Sequence, residues 1–393
     1  MMAEAFEHLT IDGYARQAAA TDQRSSTAEL GFHLLGLVGE TGTLLSEAKK
    51  KQRDEASYLG YAEAVAEELG DVLWYLAAIA RRSHLSLADI ALSALSGDRR
   101  REDLSPVSIT FHDLQPATME FSKAPMPRFE QTLLMLASKV GDLITSFVNS
   151  ELENDQPRVR DHLVSVAEKL IEASTESGIT MEAAAAKNLH KIFDRWPQER
   201  RYPDAFDEGF ELEERLPRTM TIDIYEREVR GKTFVYQRSN HIYVGDRLTD
   251  NAVEPDDYRF HDVFHYTYVA VLGWSPVMRA LFRLKRKSDP LLDEAQDGAR
   301  AILIEEGLTS WLFTQAQQLR FFDKVERGGL PLDLLKQVRA FVSGYEAEQC
   351  PLWLWEEAIL QGYSAFRFLQ EKRRARLTID FEQRELQVAE LPA

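Results

Sequence analysis

The sequence predicts a mainly α protein, in which two helical bundles of similar order precede a mostly helical C-terminal domain with a small β-sheet. Three observations lead to this fold class. From Thr10 to about Leu95, apolar residues recur every three or four positions, which is the period of an amphipathic helix. A similar pattern returns after about residue 104. From Tyr202, alternating segments rich in Val, Ile, Tyr and Thr indicate short strands before long helices resume.

The composition limits the classes of partner. With 393 residues, 44% hydrophobic and 28% charged, the chain is expected to fold into two or three domains. Lys and Arg number 47 against 64 Asp and Glu, a formal charge of −17. Such a surface repels phosphate backbones and anionic lipid, so nucleic acid and membranes are not expected partners, whereas a divalent cation is. The single Cys350 and the absence of a recognisable signal peptide predict a cytoplasmic protein.

The predicted domains are residues 1–97, 104–200 and 203–393. Between the first two, the charged stretch from Ser96 to Pro106 is typical of a linker. LTIDGY near Thr10 is similar to ITFHDL near Thr110, and LVGETGTLLSE to KVGDLITSFVNSE. We therefore expect tandem copies packed face to face. The alternative is the general likeness of any two amphipathic helix pairs.

The third domain is predicted to begin with strands separated by turns at 230–232 and 239–240. Helices are then predicted over 258–272, 276–287, about 297–322, 332–347 and 352–374. The terminal RLTIDFEQRELQV alternates again, which indicates strands that pair with the earlier ones and cover an edge. The basic run from Arg279 to Asp289 is interpreted as a solvated face, with binding of a phosphate-bearing ligand or RNA as the alternative.

Three carboxylates in the first domain suggest a metal site. Glu68 and Asp71, three residues apart, share one face of a predicted helix. Glu40 lies within the apolar stripe of the preceding helix. Carboxylates between two helices repel one another unless a cation binds them. Because Mg²⁺ prefers oxygen ligands, we predict a Mg²⁺ site, with Mn²⁺ as an alternative ion. Two solvated helix faces are the competing interpretation.

At these residues the sequence resembles the MazG-like nucleotide pyrophosphohydrolases of the all-α nucleoside triphosphate pyrophosphatase superfamily. That family pairs Glu, two residues, Glu on one helix with Glu, two residues, Asp on the next. Glu40 matches the first position, Glu68 and Asp71 match the last two, and Thr43 stands at the second. The resemblance covers about residues 1–200 and implies that the three carboxylates are metal ligands and catalytic residues. It implies hydrolysis of a nucleoside triphosphate to a monophosphate and pyrophosphate, in nucleotide-pool cleansing or regulation.

Thr43 departs from the family's pattern. A hydroxyl is a weaker, neutral ligand, so we expect one loosely held ion rather than a pair. Glu47, one turn farther on, is an alternative ligand although it lies two turns from Glu40. The carboxylate of Glu68 or of its neighbour Glu67 is expected to take a proton from the attacking water.

The second copy carries a polar helical face in KNLHKIFDRWP, formed by Lys187, Asn188, Lys191 and Arg195. This face resembles the Asn, Lys and Arg pattern that helps MazG-like domains hold the nucleotide. Cationic side chains suit a triphosphate. The alternative is a basic helix end that complements the helix dipole.

The second copy is predicted to have lost its own metal site, because the positions of the three carboxylates correspond to Asp142, His162 and Ser165. MazG-like sites form between paired subunits, so the tandem is expected to imitate a dimer, and the resemblance leaves a homo-oligomer open as well. Candidates for stacking on the base are Trp74, Tyr75 and Trp196.

A histidine pair marks the third domain, for which we identify no family. His261 and His265 are four residues apart on a predicted helix, the spacing at which both imidazoles reach one ion. Forty residues on, Glu305 and Glu306 lie in another apolar helix. We predict a Zn²⁺ or other transition-metal site with His261, His265 and Glu305 as ligands. The pattern is loosely similar to HExxH metallopeptidases, but Asp262 replaces their catalytic Glu, so peptidase activity is not expected. The alternative is a structural pairing of histidine with carboxylate.

Two further functions are compatible with these patterns. Thr43 in place of Glu favours a nucleotide-binding regulator whose catalytic site has decayed. The histidine pair favours a C-terminal metal-dependent hydrolase that is gated by the nucleotide-binding half.

Overall fold

The computed structural model describes residues 9–22, 30–95, 104–115 and 127–391. The chain divides into two compact units, Met1–Gln198 and Glu199–Ala393, which we call the N-terminal and C-terminal units. The mainly α class with a small sheet is confirmed. The first eight residues, used to judge a signal peptide, and residues 96–103 of the predicted linker lie outside the described residues. The described helices include none with the length and apolar character that crossing a membrane requires.

In the described part of the N-terminal unit, the regular elements are helices. Its α-helices are α1 (Ile11–Ala19), α2 (Gly31–Asp54), α3 (Tyr61–Arg82), α4 (Leu87–Ala94), α5 (Pro127–Val148), α6 (Gln156–Ser177) and α7 (Met181–Arg195). Two long helices and a shorter one thus occur twice in the same order. Ser86 and Thr180 cap the two shorter helices in the same way, since each side chain accepts a backbone N–H three residues on. This order supports the tandem copies, which remain a prediction.

The two similar motifs of the N-terminal unit meet in space. Thr10 and Thr110 form an antiparallel bridge, in which the Ile11 N–H donates to the Ile109 carbonyl oxygen at 3.1 Å. One continuous apolar core, which includes Leu37, Leu69 and Leu163, runs through this unit. Burial of these helix faces supplies most of the stabilisation, because isolated helices of this length are marginal in water.

The C-terminal unit combines helices with a five-stranded antiparallel sheet of order β3-β2-β1-β4-β5. Its strands are β1 (Thr219–Val229), β2 (Lys232–Ser239), β3 (Ile242–Tyr243), β4 (Arg374–Asp380) and β5 (Glu385–Ala389). Its α-helices are α8 (Asp262–Leu272), α9 (Pro276–Phe282), α10 (Pro290–Ala295), α11 (Ala299–Gln318), α12 (Leu332–Phe341) and α13 (Leu352–Lys372). Positive φ angles at Arg230 and Gly231, and at Asn240 and His241, form the two predicted hairpin turns.

Some predicted boundaries were wrong. The helix predicted to reach 287 ends at Phe282, because Arg283 adopts a left-handed conformation with φ of 61°. The short α10 was not predicted, although Asp289 accepts two backbone N–H groups at its start. The terminal strands do more than cover an edge, since β4 pairs along β1 and makes β1 central in the sheet.

The interpretation of the basic run as a solvated face was wrong for two arginines. Arg279 is 1% exposed and Arg286 is 0% exposed. Arg279 donates to the buried Asp207 at 2.7 Å, and Arg286 donates to Asp297 and Glu346, each at 2.7 Å. Buried charges are tolerated only when they are paired in this way. These guanidinium groups are therefore structural and are not presented to phosphate or RNA.

Candidate functional site

Helices α2 and α3 bring the three predicted carboxylates together. One oxygen each of Glu40, Glu68 and Asp71 lies within 4.8 Å of the others. We call these residues the acidic cluster. Each of them is half-buried, while the neighbouring Leu37 and Leu69 are fully buried. The helical period therefore places the apolar side chains in the core and leaves the carboxylates at its margin.

Glu68 is the most perturbed member of the acidic cluster. Burial, followed by repulsion from Asp71 and Glu40, raises the pKa of its carboxyl group from 4.5 to about 8. Its Oε2 atom is buried and has no hydrogen-bond partner among the described residues. A divalent cation would satisfy this oxygen and remove the repulsion, so the residues fit Mg²⁺.

Thr43 and Glu47 make hydrogen bonds with residues other than the acidic cluster. The exposed Thr43 hydroxyl donates to the backbone oxygen of Gly39 at 3.2 Å, within its own helix. Glu47 is buried, but its carboxylate accepts hydrogen bonds from the Tyr58 hydroxyl and, at 2.6 Å, from Lys50 Nζ. Glu47 is therefore occupied away from the cluster and does not replace the missing family carboxylate.

Helix α7 brings polar side chains against the acidic cluster. Asn188 Nδ2 donates to Asp71 Oδ1 at 2.9 Å. Lys191 Nζ donates to the other oxygen of Asp71 and lies 3.1 Å from Glu67 Oε1. Burial disfavours the ammonium form, but Asp71 and Glu67 outweigh it and raise the pKa of Lys191. Tyr14 completes the group, because its hydroxyl donates to Asn188 Oδ1 at 2.8 Å.

The other two predicted phosphate-binding residues are placed differently. Arg195, one turn beyond Lys191, is 2% exposed, and its guanidinium lies over the Trp196 ring at 5.4 Å from the centroid. Lys187 is half-buried one turn before Lys191. Asn188 and Lys191 are thus the members of the predicted face that meet the acidic cluster.

Gly70 sets how closely α3 approaches α7. A Cβ atom at Gly70 would lie 2.6 Å from the carbonyl oxygen of Ala184 and 2.8 Å from Asn188 Cβ. No side chain fits there, so the glycine allows Asp71 to reach the α7 side chains. Sequence reasoning missed both Gly70 and Tyr14. A glycine between two acidic residues inside a helical pattern is a signal that could have identified the close approach.

Tyr75 is the aromatic candidate beside the acidic cluster. Burial, followed by repulsion from Glu40 and Asp71, raises the pKa of its hydroxyl. Its ring lies against Gly36, where a Cβ would come within 2.1 Å of the ring. Trp74, by contrast, donates its indole N–H to Thr21 at 3.2 Å and packs with the core.

A second cluster lies in the C-terminal unit. One ligand atom each of His261, His265 and Glu306 lies within 4.8 Å of the others, and we call these residues the histidine cluster. The prediction of Glu305 as the third ligand differs from this arrangement. Glu305 Oε1 instead lies 2.8 Å from His265 Nδ1, on the far side of the ring. Successive residues on a helix point about 100° apart, so only one of the two glutamates faces the cluster.

Among the described residues, neither potential metal cluster includes Asp142, His162 or Ser165. Asp142 accepts a hydrogen bond from Lys139 at 3.4 Å, and His162 Nε2 lies 3.1 Å from Ser146 Oγ. The loss of a metal site from the second copy stays a prediction.

Comparison with known protein families identifies a relationship for the C-terminal unit. Residues 201–392 match the family model of the MazG C-terminal domain. Over 76 residues the chain is 32% identical to the Gene 37 protein of Mycobacterium phage L5, a match that spans 19% of this chain and 67% of that protein. No solved structure matches. The domain for which sequence reasoning identified no family is therefore the one that the family model recognises. Through residues 201–392, the chain is a relative of the MazG family.

Proposed function

We propose that the N-terminal unit is a Mg²⁺-dependent nucleoside triphosphate pyrophosphohydrolase, which converts a triphosphate and water to a monophosphate and pyrophosphate. The observation that carries the proposal is the convergence of the acidic cluster with Asn188 and Lys191 around Asp71. The MazG relationship of the C-terminal unit supports the same class of activity. Glu40, Glu68 and Asp71 would hold Mg²⁺, with Mn²⁺ as an alternative. When bound, the ion would offset phosphate charge and lower the pKa of a water molecule.

The α7 side chains are proposed to position the triphosphate. Lys191 is paired with Asp71 and Glu67. An ammonium group exchanges readily between carboxylate and phosphate oxygens, because it is a compact charge on a flexible stem. Lys191 would therefore turn to a phosphate oxygen once the charge of Asp71 is neutralised. Asn188, held by Tyr14, keeps Asp71 oriented during this exchange.

Hydrolysis requires water to attack the α-phosphorus. The bond from the α-phosphorus to the bridging oxygen then breaks, and pyrophosphate leaves. The attacking water loses its proton to a carboxylate, for which Glu67 and Glu68 are the candidates on the turn before Asp71. Tyr75, beside the cluster, is the proposed aromatic contact of the base.

The test is pyrophosphate release by the purified full chain from a panel of ribo- and deoxynucleoside triphosphates with Mg²⁺. We expect release from at least one of them and a loss of about 100-fold or more in Asp71→Ala. Asp142→Asn, a change in an exposed carboxylate of α5, is the matched control and should leave the rate unchanged. The proposal fails if a folded chain releases no pyrophosphate from any substrate, or if Asp71→Ala is as active as the wild type.

Thr43 favours a second candidate, a nucleotide-binding regulator with a decayed site. Its hydroxyl donates to the backbone oxygen of Gly39 within α2. Thr43→Glu distinguishes the two functions. A large gain in turnover supports a decayed site, whereas a loss of activity shows that threonine suits the substrate of this enzyme.

A further inference from the structure

The two imidazoles of the histidine cluster are already oriented. His261 Nδ1 lies 2.9 Å from the carbonyl oxygen of Tyr258, and His265 Nδ1 lies 2.8 Å from Glu305 Oε1. Both partners are acceptors, so a proton on Nδ1 fits each ring. His265 then carries its lone pair on Nε2 when it is neutral. This is the arrangement in which a second residue fixes the tautomer and direction of a metal-binding histidine. His261 also has the Asp262 carboxylate 3.1 Å from its Nε2 atom, a contact that either a proton or a metal ion on this nitrogen would satisfy.

Glu305 is itself held rigidly behind His265. Its side chain is 0% exposed. The Oε1 atom accepts a hydrogen bond from Ser275 Oγ at 2.6 Å, and Oε2 accepts one from the backbone N–H of Val277 at 2.8 Å. The ring of His265 is thus fixed through three elements, α8, the start of α9 and α11. These hydrogen bonds fix the orientation of the His265 ring, so that its Nε2 atom has one direction.

The other nitrogen of His265 has no hydrogen-bond partner. Its Nε2 atom is buried without one among the described residues, and the side chain is 0% exposed. Glu306 Oε2 lies 3.6 Å away, within ion-pair range but beyond hydrogen-bond distance. A buried polar atom that is left without a partner loses its interaction with water and gains none in return. This nitrogen therefore points to a missing ligand between His265 and Glu306.

The histidine cluster also has an open side. Glu306 is 41% exposed at its side chain, whereas His261 and His265 are nearly or fully buried. Two histidines and one carboxylate are three protein ligands, which leaves a coordination position for water. Structural zinc sites close all four positions with protein ligands, whereas sites with three protein ligands admit water or substrate.

We propose that His261 Nε2, His265 Nε2 and the Glu306 carboxylate bind a divalent transition-metal ion, Zn²⁺ by preference, and that Glu305 is a positioning residue. Imidazole and carboxylate together suit Zn²⁺ and its neighbours better than Mg²⁺. Asp262 Oδ1 lies 3.1 Å from His261 Nε2 and is the acceptor that the metal would displace. Asp262 also accepts a hydrogen bond from Gln237, so it remains partnered after the displacement. This site is independent of the function proposed for the N-terminal unit.

The experiment uses the full chain after removal of metals with a chelator. Co²⁺ is titrated as a spectroscopic substitute for Zn²⁺, because nitrogen ligands give it visible absorption bands that oxygen-only sites do not produce at comparable strength. We expect about one such Co²⁺ ion per chain, displaced by Zn²⁺. His261→Ala should abolish the bands, and Glu305→Gln should weaken the affinity by about 10–100-fold. Asp71→Asn, which changes the acidic cluster, should leave the bands unchanged.

Two further variants keep the test decisive. Glu306→Gln changes a half-exposed side chain and should fold normally while it weakens binding. His112→Ala, an exposed histidine of the N-terminal unit, is the matched control and should bind as the wild type does. The proposal is overturned if the folded wild type shows no Co²⁺ bands, or if His261→Ala and Glu306→Gln bind as well as the wild type. Either result would show that His265 is paired structurally with the two glutamates.

Discussion

The acidic cluster and the histidine cluster differ in what holds their ligand atoms in place. The carboxylates of the acidic cluster are half-buried and face one another, and Lys191 and Asn188 of α7 are their main neighbours. In the histidine cluster, His265 is fully buried and Glu305 fixes its ring from behind. The first arrangement suits an ion that keeps waters and shares phosphate oxygens with a substrate. The second suits an ion held mainly by the protein.

The neighbouring charges show the same contrast. Lys191, next to the acidic cluster, is 18% exposed at its side chain, and we propose that it exchanges Asp71 for a phosphate oxygen. Arg279 and Arg286 in the C-terminal unit are buried and paired with Asp207, Asp297 and Glu346. A cation near the surface can take part in ligand binding, whereas a buried cation is tolerated only because it is paired, and removal of its partner would destabilise the fold. Residue type alone does not separate these roles.

The largest expected effect tests whether the two clusters are independent. Asp71→Asn should reduce Mg²⁺-dependent pyrophosphate release by about 100-fold or more and leave the Co²⁺ bands of the histidine cluster intact. His261→Ala should abolish the Co²⁺ bands and leave Mg²⁺-dependent pyrophosphate release unchanged. Both variants are measured by pyrophosphate release and by absorption. Loss of both properties in either variant, with unchanged circular dichroism, would show that one metal-dependent function spans the chain.

Gly70→Ala tests the close approach of α3 to α7. A methyl group there would meet the Ala184 carbonyl oxygen at 2.6 Å, so we expect a loss of about 1–3 kcal/mol in the free energy of unfolding. Gly42→Ala is the matched control, because Gly42 lies in α2 with open space around its Cβ position. It should stabilise the chain by up to about 1 kcal/mol through helix propensity. Chemical denaturation measures both, and equal effects would contradict the packing argument.

Lys191→Gln tests the phosphate role of α7. The change removes a cation but keeps hydrogen-bonding capacity, so we expect kcat/KM for the triphosphate to fall about 10-fold, a loss of about 1.4 kcal/mol in transition-state binding. Lys139→Gln, at a lysine of α5 whose side chain is 40% exposed, is the control and should have no effect. If the two variants have equal kinetics, Lys191 serves only to neutralise Asp71.

Glu68→Gln is expected to have the smallest effect, which depends on pH. The pKa of Glu68 is raised from 4.5 to about 8, so the folded chain binds this proton more tightly than the unfolded chain. The resulting stability is present below about pH 4.5 and is lost as the pH rises towards 8. The neutral glutamine should therefore stabilise the metal-free chain by about 1 kcal/mol above pH 8. The effect is small because solvent screens the partly exposed Glu68 carboxylate.

The same substitution should make little difference below about pH 4.5, where Glu68 is protonated in both states. Glu63→Gln, at an exposed position of α3, is the control. Mg²⁺ should stabilise the wild type more than Glu68→Gln, because the ion binds the ionised carboxylate. Thermal unfolding across the pH range measures all three chains. A pH-independent difference between wild type and Glu68→Gln would contradict the electrostatic origin.

Much of the acidic cluster could be predicted, because short-range periodicity determines it. Residues three apart share one face of a helix, as Glu68 and Asp71 do. Glu40 was recognisable because it lies within an apolar stripe of the sequence. The choice between Glu305 and Glu306 could not be made in the same way. Both lie in the same apolar stretch and both lie next to His265 of α8. Which of them is on the Nε2 side of that ring, together with His261, depends on how α11 is placed in the fold.

The amino-acid sequence by itself determined the helical periods, the hairpin turns, the net negative charge and the spacing of the carboxylate and histidine pairs. These features depend on neighbours within a few residues. Only the tertiary structure decided that Asn188 and Lys191 meet Asp71, that Arg279 and Arg286 are interior, and that Glu305 stands behind His265. The reason is that burial and the choice of partner arise from packing between helices distant in sequence. At Gly70, for example, the lack of a side chain allows α3 to approach α7 closely.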